Sequence, residues 1–571
     1  MKIVKLSDYS EYIVNNDATP ALAKALEECK RHSEVTLSLG GKEWHFYEEH
    51  ALRRTCYVSN NDSGEKNIIF PLYDFNGLTV DGEGAALQFH GEVCPFVLDG
   101  SANVTLKNFS VDYPEPYFLQ GTIVAATEDS LELEIDPASR SVLAKSDGMV
   151  LSNNDGISKE IFTDRFLVTE FDAATGAPSS NIPPYFLYLR KNDDASFQSN
   201  MYRYVSGYTL SDTRIGFKGD FGHVHNVGNK LIGVCGIGPQ RRSCPGIFGN
   251  RSRNILIENV TLYATGAMGV ICQVCENVTM RGLHAKPNRA LGRYLSVSAD
   301  ATHFVNCFGD IVYEDCSFTN MMDDASNVHG IYYKIKEIES SHRMILTYGH
   351  HQQVGVNVFD TGDTVSIVNN NNFGSVAKLT VRSAEQLSPN LLALETEEEI
   401  PMVDLAFCVE DLTKNPNLYV NNCVCGDNRP RGFLPATRGK IVITNSTFHN
   451  MNSALHFAGD CNSWYEASAV EDVLVKGNKF KNSAYAGGVA ILMNPHSVDN
   501  SLPYHKNITI IENEFEMSSE RFLNASLVEN LVFKNNTFKK NEALPLHPKP
   551  SSNGIRVVNC PGAEVEEPKK I

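Results

Sequence analysis

Residues 254–285 read NILIENVTLYATGAMGVICQVCENVTMRGLHA, and one short phrase occurs in them twice, 23 residues apart. Each copy opens on Asn, runs through alternating apolar residues, bends at Asn or Gly, and closes on a second short apolar stretch. The phrase returns at Asn103 (NVTLKNFSVDY), Asp310 (DIVYEDCSF), Lys440 (KIVITNSTF), Asp472 (DVLVKGNKF), Asn507 (NITIIENEF) and Asn530 (NLVFKNNTF), the last two again 23 residues apart. Short strands of period-two apolar residues, separated by Asn or Gly bends and repeating in the twenties, predict a solenoid of β-coils. Asn suits the bend because its short polar side chain tolerates a left-handed backbone. Several phrases also read Asn-X-Ser/Thr, but that triplet belongs to the rung repeat and is read as strand chemistry, not as glycan attachment.

Outward from the repeat, the raw ends of a solenoid need covers. Thr19-Pro20 followed by ALAKALEECKRH offers an N-cap, a proline at the first helical position and apolar residues at helical spacing, and predicts an amphipathic helix plugging the first coil. Two stretches break the rung pattern. GTIVAATEDSLELEID and DRFLVTEFD, within 115–220, read as longer antiparallel strands, as do RMILTYG, DTVSIV, VAKLTVRSA and NLLALE within 334–430. Both stretches are read as small β-barrels emerging from coil turns. The division expected is a cap with the first coils (1–114), a barrel (115–220), a central helix (221–333), a second barrel (334–430) and the final coils with a tail (431–571).

Composition limits what such a molecule does. With 571 residues, 42% of them hydrophobic and 21% charged, the chain has the make-up of a folded protein. A formal charge of −18 argues against nucleic acid, whose phosphates require concentrated positive charge. It argues against a polyanionic substrate too. No stretch of about 18 apolar residues is present, so no membrane partner is expected. The N-terminus lacks the apolar core of a signal peptide; the expected location is the cytoplasm, or a secreted or periplasmic one if a signal has been removed. Cys272 and Cys275, like Cys423 and Cys425, lie close in sequence, but no Cys/His set completes a zinc site. The fourteen cysteines are read as buried free thiols. The run GVCGIGPQRR (233–242) lacks the strand–helix setting of a phosphate loop.

The segment richest in chemistry is 294–333, YLSVSADATHFVNCFGDIVYEDCSFTNMMDDASNVHGIYY. Asp300-Ala301-Thr302 and Asp324-Ala325-Ser326 stand 24 residues apart, close to one coil, and stacked coils lie about 4.8 Å apart. Asp300 is therefore expected beside the Asp323–Asp324 doublet, with the doublet at a bend so that both carboxylates face outward. Three crowded carboxylates raise the pKa of at least one member, supplying a protonated acid and an ionised base for glycoside cleavage. His303, Asn327 and His329 are candidates to bind sugar hydroxyls or orient the acids. From the residues alone, calcium ligation and solvated turn decoration stay open.

The motifs SADATHFVNC and MMDDASNVHGIY, followed in order by YGHHQQVG (348–355), NRPRG (428–432) and ALHFAGDCNSWYE (454–466), resemble those of glycoside hydrolase family 110, the exo-acting α-1,3-galactosidases. The resemblance runs from about residue 17 to 540. It implies a right-handed parallel β-helix with two barrel insertions, inverting hydrolysis of terminal galactose such as that of blood group B structures, no cofactor and no metal. By carry-over Asp323 is the acid, and Asp300, Asp324 or both activate water. A homodimer is the expectation for such a family.

Further candidate sugar contacts are Trp464, whose face suits a galactose ring or a packed loop, with Asp460 and Glu466 beside it. Arg429 and Arg431 have guanidinium forks that suit hydroxyls, the orientation of a carboxylate, or a loop salt bridge. His350 and His351 are weaker candidates, in the second barrel. Rival readings are a polygalacturonase-like or lyase β-helix enzyme, whose expected basic residues are missing, and a non-catalytic carbohydrate-binding β-helix.

Overall fold

The computed structural model describes residues 2–137, 139–152, 161–189, 201–235, 242–542 and 554–571. Most of the run 233–242 lies outside them. Arg253–Leu262 lies parallel between Ala102–Asp112 and Glu276–Ala285, with Ile255 opposite both Val104 and Val278. This register recurs down the chain to Val528–Lys534, giving one long parallel sheet. A second parallel sheet runs through Val93–Asp99, Ile247–Asn250, Val270–Gln273, Thr302–Val305, Ser326–Ile331 and Phe433–Pro435. The two sheets are the walls of the expected parallel β-helix. Strand alternation turns Ile255, Ile257, Val260 and Leu262 into one continuous core with their counterparts on every coil.

The bends inside the phrase work as the repeat predicts, with Asn108, Asn259 and Gly282 at φ of 59°, 52° and 59°, and the residues that open the phrase turn in the same way. Asn103, Asn254 and Asn277 hold φ of 55°, 53° and 55°, in the left-handed region where Asn is favoured among side-chain-bearing residues. Their amides also form a ladder: Asn254 Nδ2 donates to Asn103 Oδ1 at 2.9 Å, and Asn277 Nδ2 to Asn254 Oδ1 at 3.1 Å.

The helix Thr19–Cys29 buries Ala21, Leu22, Ala25, Leu26 and Cys29 against the first coil. Its cap differs from expectation. Thr19 is already helical, and the carboxylate of Asp17, two residues earlier, accepts the Thr19 backbone N–H at 2.8 Å.

The first insertion closes as a seven-stranded barrel from Phe118–Ala126 to Lys230–Val234 and carries a three-stranded antiparallel sheet. Its closing strand lies beyond residue 220 because KGDFGHVHNVGN (218–229) reads as loop and conceals the five residues that follow. The second is a six-stranded barrel from Tyr333–Ser340 to Phe407–Asp411. It ends before 430: Asn417–Asn421 is already stacked on Phe308–Glu314, which places NRPRG on the helix itself. Each barrel has its own apolar core.

Candidate active site

The second sheet positions the chemistry. Thr302 stands opposite Ser326, and Ser326 opposite Phe433. Two residues upstream on each strand, the same register stacks Asp300, Asp324 and Arg431 on three successive coils. Backbone bonds continue that far, Ala301 N donating to Asp324 O at 2.9 Å and Ala325 N to Arg431 O at 3.3 Å. Asp323 and Asp324 occupy the bend just before Ser326, which lets neighbouring side chains share one side. Carboxylate oxygens of Asp300, Asp323 and Asp324 lie within 4.8 Å of one another.

Three guanidiniums surround them. Arg431 forks Asp324, Nε to Oδ1 at 2.9 Å and Nη2 to Oδ2 at 2.8 Å. Arg242 donates to Asp323 Oδ2 at 2.6 Å, and Arg429 to Asp323 Oδ1 at 3.3 Å. Among the described residues no guanidinium lies within bonding distance of Asp300; its Oδ2 meets His303 Nδ1 at 2.6 Å.

This asymmetry sets protonation. Burial would raise Asp323, but Arg429, Arg242 and Arg431 outweigh it and hold this carboxyl below the usual carboxylate range. Burial, with the charge of Asp323, pushes Asp300 up to about 8. Burial also pushes Asp324 up to about 8, against the pull of Arg431. Such neighbours titrate as a unit. The fork of Arg431 engages both Asp324 oxygens as acceptors, so the proton of the pair rests on Asp300. The acid implied by the resemblance, Asp323, is thus an ionised member of the free site, because two guanidiniums face it.

The triplet opens into a cavity of about 210 Å³ lined also by Asn60, His456, His496, Trp464 and Glu466. Of the remaining candidates, Asn327 donates to Glu466 Oε2 at 3.3 Å. Glu466 Oε1 also accepts from Asn60 at 2.9 Å. Trp464 is 41% exposed and lies against His350 of the second barrel with ring centroids 4.3 Å apart. Gln353 from the same barrel loop donates to the Trp464 carbonyl at 2.9 Å. Asp460 lines the cavity, but its carboxylate accepts the backbone N–H groups of Asn462, Ser463 and Trp464. It shapes the tryptophan loop. His303 and His329 are buried behind the triplet at 1% and 3% exposure, bonded to each other at 2.8 Å. His303 also lines the cavity, and the pair backs the acids, the second of the two roles expected of them.

Sequence reasoning missed Asn60, Arg242 and His456. His456 Nε2 donates to Asn494 Oδ1 at 2.6 Å, while its Nδ1 is buried without a partner among the described residues. Burial pushes this histidine down to about 3, so Nδ1 is a bare acceptor suited to a sugar hydroxyl. Asn60 and Arg242 stand in no motif that marks a site, and His456, though inside ALHFAGDCNSWYE, has no spacing that marks it; each of the three reaches the cavity from a different coil.

The aspartates and the His303–His329–Glu466 group each bring donor atoms together. The first group is neutralised by guanidiniums, which oppose a cation, and the ring nitrogens of the second satisfy each other. Neither is read as a metal centre.

Comparison with known proteins agrees with this architecture. Residues 343–403 match the family model of GLAA-B beta-barrel domain II. Alpha-1,3-galactosidase B of Bacteroides thetaiotaomicron is 29% identical, the match covering 100% of this chain and 91% of that protein. Among solved structures, the A-module of a mannuronan C-5 epimerase from Azotobacter vinelandii superposes with a TM-score of 0.41 at 10% identity, covering 99% of this chain and 100% of that one. Alpha-1,3-galactosidase A of Shewanella woodyi is 30% identical over 95% of this chain and 87% of its own length; with the barrel match and the stacked aspartates, this places the chain in glycoside hydrolase family 110, the α-1,3-galactosidase family.

Proposed function

We propose that this glycoside hydrolase removes terminal, non-reducing α-1,3-linked galactose from glycans, blood group B structures among them, with inversion at the anomeric carbon. The observation that carries the reading is a pocket of about 210 Å³ with three aspartates gathered on its wall, their carboxylate oxygens within 4.8 Å of one another. With Asp300 protonated, Arg242, Arg429 and Arg431 are matched by Asp323, Asp324 and Glu466. Among the described residues no positive charge is left over for a uronate, which favours a neutral hexose over pectin. A compact, partly open cavity of about 210 Å³ favours removal of an end residue over cleavage within a chain.

In the cycle, protonation of the glycosidic oxygen accompanies cleavage of its bond to C1, and water enters at C1 after losing a proton to an ionised carboxylate. Arg242 and Arg429 are also the groups able to bind galactose hydroxyls. When they do so, Asp323 is freed to take the proton resting on Asp300, within 4.8 Å, and to deliver it. Asp300 and Asp324 then form the base. Inverting enzymes commonly separate acid and base carboxyls by about 6.5–9.5 Å, more than the closest oxygens here. Support for inversion comes instead from the Arg431 fork on both oxygens of Asp324, which makes it a poor nucleophile while leaving it able to orient water.

Incubation with α-1,3-, α-1,4- and α-1,6-linked galactosides, including a fucose-branched α-1,3 trisaccharide, tests the substrate. Release of galactose from the α-1,3 compounds is expected, and its absence there overturns the reading. Proton NMR of the first product is expected to show β-galactose; α-galactose would establish retention.

A further inference from the structure

Behind the triplet, three hydrogen bonds run in one line. His329 Nδ1 lies 2.7 Å from the Gly330 carbonyl oxygen, His303 Nε2 lies 2.8 Å from His329 Nε2, and His303 Nδ1 lies 2.6 Å from Asp300 Oδ2. The strands impose this line. His303 and Val305 share the outward face of Thr302–Val305, and Val305 is opposite His329 on the next coil. The two imidazoles therefore meet edge to face, at 90°.

A carbonyl oxygen only accepts, so His329 Nδ1 carries hydrogen. Neutral His329 then has a bare Nε2, which must accept, and His303 Nε2 must donate. Neutral His303 is left with a bare Nδ1, and the bond to Asp300 forms only if the carboxyl donates it. We propose that the Gly330 carbonyl, relayed through His329 and His303, fixes a proton on Asp300 in the free enzyme, making both histidines positioning residues for the catalytic triplet. This rests on the reading of the site as a glycosidase for its consequence in turnover, not for the proton count itself.

The surroundings favour the neutral chain. Asp300 faces Asp323, Asp324, Glu466, Arg242, Arg431 and His303, and an ionised Asp300 would add a charge beside two carboxylates already charged. His329 faces Glu466 Oε1 at 3.6 Å, too long for a hydrogen bond. Burial pushes His303 down to about 4 and lowers His329, so neither imidazole draws the proton away. The device is a store: one proton in an acidic cluster, held at a known atom until substrate rearranges the guanidiniums.

Neutron diffraction from deuterium-exchanged crystals at neutral pH reads the arrangement directly. Deuterium is expected on Asp300 Oδ2, His303 Nε2 and His329 Nδ1. A bare Asp300 with either imidazole doubly deuterated would overturn the inference, even if the galactosidase reading held. A protein inert on every galactoside but showing the expected deuterium would overturn the functional reading alone. In turnover, His329→Leu removes the acceptor for His303 Nε2–H, freeing His303 to donate from Nδ1 and stabilise ionised Asp300. The alkaline limb of kcat/KM is then expected to move down by about one pH unit or more, with KM little changed. A uniform loss at every pH with the limb in place would show a merely structural role and overturn the assignment.

Discussion

Asp300 differs from its two neighbours in one respect that decides its chemistry: among the described residues no guanidinium bonds it. Arg242 and Arg429 face Asp323, and Arg431 grips Asp324. The site therefore holds its proton on the carboxyl that burial and Asp323 push up to about 8. The sign for activity follows. Below pH 8 the triplet is loaded; as pH rises through that value the proton is lost, and kcat/KM is expected to fall about tenfold per unit, as for one required acid. Neither histidine accounts for such a limb, since His303 is pushed down to about 4. A profile flat beyond pH 9.5 or so would contradict the store. Leaving-group dependence separates the roles of the doublet. If Asp323 delivers the proton, Asp323→Asn is expected to lose about 10²–10⁴-fold on an α-1,3 disaccharide. On an aryl galactoside whose leaving group needs no protonation, that loss is expected to shrink greatly. Asp324→Asn, removing a base, is expected to lose both activities alike. Equal behaviour of the two variants would reject this division of labour.

The coil repeat was legible because it is local: each rung carries its own strand alternation and its own bend, at Asn, Gly or Asp, within about two dozen residues. The same locality made the vicinity of Asp300 and Asp324 readable, their strands being neighbouring coils with Thr302 opposite Ser326. Arg431 was recognised as a candidate, but its grip on Asp324 was one of three alternatives, since the second barrel separates partners that stand on adjacent coils. Arg242 and Asn60 lacked even that much, arriving from the far side of the first barrel and from an early turn. Asp460 stayed open between two roles because an acid after a strand reads equally as a sugar ligand and as a turn cap; the three amide hydrogens it accepts show the cap. The bends themselves are testable. Asn254 combines φ of 53° with hydrogen bonds to the coils on either side. Asn254→Val places a β-branched residue in the left-handed region, at a cost of about 1–2 kcal/mol, and breaks the ladder; Asn254→Gly breaks the ladder but keeps the conformation. Denaturant midpoints are expected in the order wild type, Gly variant, Val variant. A Val variant as stable as the Gly variant would mean that the bend does not depend on left-handed backbone.

Across the whole molecule, fourteen cysteines raise the question of what fastens so long a solenoid. All fourteen are free, thirteen of them buried and only Cys560 partly exposed. Many fill the interior of successive coils, Cys272, Cys275, Cys307, Cys316, Cys423 and Cys425 among the aliphatic side chains of the central core. There a thiol acts as a small apolar group with a weak donor: Cys307 Sγ bonds the Cys272 carbonyl at 3.5 Å, and Cys316 Sγ the Met280 carbonyl at 3.4 Å. Burial also suppresses the thiolate, pushing Cys29 up to about 12 and Cys56 to about 11, and the thiolate is the reactive form. Continuous burial of stacked apolar rungs, capped by Thr19–Cys29 at one end, does what cross-links do in small secreted domains. A thiol-reactive chromophore such as Ellman's reagent should therefore detect at most about one group in the folded protein, at Cys560, and all fourteen once the chain is denatured without reductant. Reductant should leave the thermal midpoint and turnover unchanged. Fewer than fourteen thiols in the denatured chain would reveal disulfides, and several fast-reacting thiols in the folded one would mean that the coils open far more readily than a continuous core allows.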